Sequence, residues 1–145
     1  MLAIRAAETG HLVVGTLHSG TAVQAITRLL DVFEVERQAL VRVQLAQSLQ
    51  AICSQRLYKK ADGSGMVPAT EVLIATLAIR NIIRDQRIQE IRGYMATGMR
   101  EQMHTFKQSI EELVESGLID ASYIRESGEE DPVPQLAAAN MFRTR

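Results

Sequence analysis

Two histidines bracket an apolar run in Glu8-Thr9-Gly10-His11-Leu12-Val13-Val14-Gly15-Thr16-Leu17-His18. An imidazole titrates near neutrality and can donate or accept a hydrogen bond, so a histidine at the end of a core strand suits a phosphate or an attacking water. Leu12 to Val14 lack polar alternation, which fits a strand covered on both faces, as in a parallel sheet flanked by helices. The predicted strand over 11–18 delivers Thr16 and His18 to its carboxyl end, the edge at which open α/β sheets bind ligands. His11 opens the strand at the opposite edge, where a structural contact to a neighbouring loop or subunit competes with a chemical role. Glu8 has three uses: a cap, a partner for Arg5 at helical spacing, or a group that polarises His11; the spacing favours the ion pair. His104 has no partner in its local sequence and reads as a solvated helix residue.

The segment Ala6 to Ser19, with both histidines, the Glu-Thr-Gly before them and small or apolar residues between, resembles the His box of the type II/type IV secretion superfamily ATPases. Within that family it is similar to the type IV pilus retraction (twitching motility, PilT-like) motors. Ala78-Ile79-Arg80-Asn81-Ile82-Ile83-Arg84-Asp85 resembles the AIRNLIRE-type element of the retraction branch, with Ile82 and Asp85 as departures. Ser48-Leu49-Gln50 and Ser54-Gln55-Arg56-Leu57 also fit, so the resemblance covers roughly residues 2 to 119.

The resemblance implies an α/β fold: the C-terminal part of a RecA-like P-loop ATPase domain, a mixed sheet with flanking helices, followed by a small helical subdomain. It implies a hexamer that binds ATP and Mg²⁺ at subunit edges and pulls pilin out of a fibre. An inner-membrane pilus or secretion platform protein is the implied partner, and the implied location is cytoplasmic, peripheral to the inner membrane. His18, His11, Thr16 and Glu8 would take the catalytic positions, His18 matching the second histidine of the box. Ala78, Ile79, Arg80, Asn81, Ile82, Ile83, Arg84 and Asp85 would form the coupling element, with isoleucines as anchors and arginines gripping a neighbouring carboxylate.

A P-loop needs G-x-x-x-x-G-K-[ST], and no glycine here is followed by lysine. The expectation is therefore a C-terminal piece that does not turn over ATP alone and carries no cofactor by itself. Asp62-Gly63-Ser64-Gly65 reads as a hairpin turn. A stand-alone, non-catalytic module that assembles with intact motor subunits and regulates them fits the same residues. An unrelated helical signalling domain is a third reading, which a structure without a sheet would favour.

Composition narrows the class. A chain of 145 residues can bury one core. Its net charge of −1, without a basic block, argues against nucleic-acid binding by bulk electrostatics. One cysteine, Cys53, excludes an internal disulfide and the paired CxxC zinc site of related secretion ATPases, and its apolar surroundings predict an inert core thiol. No apolar run approaches the ~18–20 residues of a membrane-spanning helix, and no signal peptide is evident, so direct membrane insertion is not expected.

The elements that must position these groups follow from periodicity. A helix ends near Glu8 and is stopped by Gly10; Ser19 or Thr21 caps a helix carrying Val23, Ile26, Leu29, Leu30 and Phe33. A second helix spans about Glu36 to Gln50, with Leu40, Val41, Leu45 and Leu49 on one side. Ala51 to Tyr58 and Met66 to Thr76 read as an antiparallel hairpin beside the parallel strand. From Leu77 the pattern is helical: a short helix with Ile79, Ile82 and Ile83 on one face, another from about Ile88, and a third over Met103 to Ser116 stopped by Gly117. The chain divides into 1–76 as ATPase core, 77–126 as helical subdomain and 127–145 as an acidic flexible tail, with a brief helix at Gln135 to Phe142.

Overall fold

The computed structural model describes residues 2–126. The tail over 127–145, including the helix expected at Gln135 to Phe142, lies outside them. Helix α1 spans Leu2–Glu8, α2 Ala22–Asp31 and α3 Val35–Ser48. Strands β1 (Ala51–Lys59) and β2 (Met66–Ile74) follow, then α4 (Leu77–Arg84), α5 (Ile91–Thr97), α6 (Phe106–Glu115) and α7 (Ser122–Glu126).

The helix starts follow from local chemistry. Thr21 accepts the Gln24 N–H and begins α2, and Thr76 accepts the Ile79 N–H and begins α4. Thr105 and Gln108 form a reciprocal capping box that begins α6.

The α/β class is as expected, but the sheet is not mixed: among the described residues it consists of β1 and β2 alone, paired antiparallel from Ala51↔Ile74 to Lys59↔Met66. Residues 11–18 do not form the expected strand. They run as an exposed ribbon without ladder partners, with Leu12 at 84% and Val14 at 87% exposure. The apolar run records a demand for burial on both faces, and a parallel strand needs a neighbour to take its N–H and C=O groups. No described element offers one.

Alternation along the hairpin explains a second correction. Ile52, Ser54, Arg56 and Tyr58 face inward opposite Leu73, Glu71, Ala69 and Val67, which turns Cys53 outward. Cys53 is an exposed thiol, not a core one. Leu40 likewise leaves the buried side of α3, at 61% exposure, while Val41 and Leu45 are buried.

Two apolar clusters hold the chain together. The larger joins Ile26 and Leu30 of α2, Val41 and Leu45 of α3, Leu73 of β2, Ile79, Ile82 and Ile83 of α4, and Ile91 and Met95 of α5. It therefore crosses residue 76: the α4 isoleucines pack against α3 and share one core with α2. The smaller joins Tyr58, Ala69, Phe106, Ile110 and Ile119.

His104 also departs from expectation. It precedes α6, exchanges both backbone hydrogen bonds with Val72 at 2.9 and 3.2 Å, and its Nε2 lies 2.8 Å from Thr70 Oγ1. Ser109 Oγ accepts the Thr70 N–H at 3.0 Å. The outer edge of β2 is thus closed by the chain itself.

Candidate functional site

The site begins where α1 ends. The Gly10 N–H bonds to Ala7 O at 3.0 Å and the His11 N–H to Ala6 O at 3.1 Å, with Gly10 at φ +88°. This is a Schellman stop, in which the residue after the left-handed glycine closes back on the last turn. The Thr9 hydroxyl donates to Ala6 O at 2.9 Å and lies 3.1 Å from His11 Nδ1. Because that hydroxyl hydrogen is engaged, the contact assigns the His11 proton to Nδ1, donating to Thr9 Oγ1. Thr9, Gly10 and His11 together terminate a helix.

Glu8 does not pair with Arg5. Its Oε2 accepts from Gln44 Nε2 of α3 at 3.2 Å, because the helix end turns the carboxylate toward α3 rather than back along α1. Glu8 and His11 thus share the α1 terminus, while Thr16 and His18 lie farther along the ribbon, all four exposed. No hydrogen bond joins the two pairs, and His18 has no side-chain hydrogen bond among the described residues.

Beyond His18 the ribbon is gripped. Gln24 Oε1 accepts the Gly20 N–H at 2.9 Å, and Arg56 Nη2 donates to Gly20 O at 3.3 Å. Glu71 Oε1 accepts the Ala22 N–H at 2.8 Å, and Glu71 is only 6% exposed. A carboxylate on an unsatisfied first-turn N–H also meets the positive end of the α2 dipole. The Arg56 guanidinium stands 4.4 Å over the Phe106 ring, which holds its direction. Neither Glu71 nor Arg56 emerges as a site residue from sequence motifs. The available signal is the alternation of β2, which places an acid among the inward positions Val67, Ala69 and Leu73.

The 78–85 element is helix α4 with its C-cap, Asp85. Ile79, Ile82 and Ile83 are fully buried, and Ala78 is exposed. Arg80 does not present its fork to a carboxylate: Nη1 donates to Ala46 O at 2.8 Å and Gln47 O at 2.6 Å, on the last turn of α3. Those carbonyls lack intrahelical donors, so they outcompete an exposed acid for the guanidinium. Arg84 stays half exposed beside Asp85 at 3.4 Å, and Asp85 also lies 3.8 Å from Arg87. Asn81 and Arg84 border a groove with Val43 and Leu77.

Among the described residues no group of three or more His, Cys, Asp or Glu side chains could hold a metal, and no helix is long and apolar enough to cross a membrane. The arrangement offers exposed imidazole and hydroxyl groups on one ribbon, whose exit is fixed by buried polar contacts.

The sequence profile of the family described as type II/IV secretion system protein matches residues 1–143. A twitching motility protein of Neisseria gonorrhoeae is 47% identical over 118 residues, covering 81% of this chain and 32% of its own length. The type IV pilus retraction ATPase PilT of Pseudomonas aeruginosa is 46% identical over 125 residues, covering 86% of this chain and 36% of its own. This chain therefore spans about a third of the length of these relatives. Among solved structures, the pilus retraction motor PilT with bound ADP superposes with a TM-score of 0.78 at 43% identity, over 90% of this chain and 36% of that one. The Legionella pneumophila ATPase DotB, at 21% identity and a TM-score of 0.71, shares the fold over 84% of this chain and 33% of its own. With a family profile matched along nearly its whole length, this chain belongs to the type II/IV secretion ATPase family.

Proposed function

We propose that this chain is the C-terminal portion of a hexameric ATPase motor that powers type IV pilus retraction or a related secretion system. The observation that carries the reading is its 43% identity, over 90% of its residues, to a pilus retraction motor solved with ADP. ATP is the substrate. No glycine in the sequence is followed by lysine, and in this reading the phosphate cradle comes from the remainder of the motor.

In this reading His18 supplies an imidazole that donates to the terminal phosphate or holds the attacking water, and Thr16 offers a hydroxyl on the same ribbon. His11 and Glu8 hold the start of the ribbon on α1. We assign no residue of this chain to Mg²⁺. Residues 1–76 serve as the C-terminal half of the RecA-like core, and 77–126 as the helical subdomain that passes motion onward through residues 78–85. The motor works in the cytoplasm, bound to the inner membrane through a pilus or secretion platform protein.

The test is ATP hydrolysis and twitching by the full-length motor carrying His18→Ala. A loss of turnover of tenfold or more with the ATP KM unchanged supports the reading. Wild-type turnover overturns it, as does micromolar ATP binding by this chain alone.

A further inference from the structure

We propose that Glu71 and Arg56 are positioning residues for His18; the inference rests on the catalytic reading of His18 given above. Among the described residues the ribbon over 11–18 makes no ladder, and the first fixed contacts after His18 are those of its exit. Its exit is fixed from outside. Glu71 on β2 holds the Ala22 N–H, and Arg56 on β1 holds the Gly20 carbonyl, so the hairpin grips the chain on both sides of Thr21.

Each contact has the character of a built support. Glu71 is buried, and a buried carboxylate is tolerated only when its hydrogen bonds are made. The Arg56 side chain is braced by the Phe106 ring, from the helical part of the chain. Gly20 leaves room for this approach: a Cβ there would lie 3.2 Å from Gln24 Oε1 and 3.5 Å from Arg56 Nη2. Motion of the hairpin or of α6 therefore reaches His18 through the short backbone from Gly20, two residues on, and from Ala22, four residues on. A group whose placement within about an ångström decides turnover depends on such a support.

Two measurements test this. In the isolated chain, amide exchange at Ala22 should rise at least tenfold in Glu71→Ala and stay near wild type in Glu71→Gln, whose amide oxygen still accepts the N–H. In the full-length motor, Glu71→Ala should lower kcat for ATP about tenfold without changing KM, Glu71→Gln should restore most of it, and Glu71→Ala with His18→Ala should be no slower than His18→Ala alone. If Glu71→Ala fails to fold, Arg56→Ala takes its place in the same cycle. Losses that multiply, or unchanged kcat in the single variant, overturn the positioning role and leave His18 its chemistry. Wild-type kcat in His18→Ala overturns the catalytic reading itself, and the positioning role with it.

Discussion

Arg80 Nη1 lies 2.6 Å from the carbonyl oxygen of Gln47, so α4 caps the carboxyl end of α3. The same nitrogen reaches Ala46 O, and the cation sits at the negative end of the α3 dipole. Arg80→Ala should lower the unfolding free energy by about 1–3 kcal/mol, because it removes two hydrogen bonds from a charged donor, one of them to the part-buried Ala46 carbonyl. Arg84→Ala, at an exposed pair with Asp85, should stay within about 0.5 kcal/mol. Urea unfolding of the two variants checks this, and equal losses would remove the cap. The contrast separates two arginines that one motif places side by side: in the full-length motor Arg84→Ala, not Arg80→Ala, is the clean probe of coupling.

Gly10 carries the α1 stop at φ +88°, with open space where a Cβ would project. Any cost of Gly10→Ala is therefore a backbone cost, about 1–2 kcal/mol for the left-handed region. The thermal midpoint should fall accordingly. An unchanged midpoint would mean that the α1 end re-forms without the Schellman geometry.

Acid should weaken the fold through two exposed turns. The Ser64 backbone N–H holds the Asp62 carboxyl below the usual carboxylate range, and Ser122, through its hydroxyl and then its amide, does the same for Asp120. A carboxyl with a depressed folded pKa contributes stability that is complete above its unfolded value and disappears as pH falls through the folded one. The urea midpoint should therefore drop as pH falls from about 5 to about 3. Asp62→Asn with Asp120→Asn should flatten that slope, because asparagine keeps both turns without titrating. A slope unchanged in the double variant would place the acid sensitivity elsewhere.

How much was legible in the sequence follows from where each cause resides. The hairpin was readable because its β-branched runs and the Asp62-Gly63-Ser64-Gly65 loop are local, and Asp62 Oδ1 does accept the Ser64 N–H at 2.8 Å. The start of α2 was readable because Thr21 is its own cap. Arg80, Glu71 and His104 act on backbone 33, 49 and 32 residues away, and no spacing rule encodes such a pairing. The ribbon differs from its expected strand for the opposite reason: Leu12 to Val14 state a need for burial, but a strand exists only where a second strand meets it.

That need yields the last prediction. Val14 is 87% exposed, so Val14→Asp in the isolated chain should change stability by less than about 0.5 kcal/mol. It should also reduce self-association, since Leu12 and Val14 form an uncovered apolar ribbon that a second copy can cover. If the ribbon is a core strand of a complete nucleotide-binding domain, the same substitution in the full-length motor buries a charge among apolar neighbours. It should then abolish ATP binding and soluble expression. Sedimentation of the isolated chain and nucleotide binding by the full-length protein give the two readings. Tolerance in both settings would mean that residues 11–18 remain a solvent-facing ribbon in the assembled motor, and His18 would then lack the walled pocket its proposed chemistry requires.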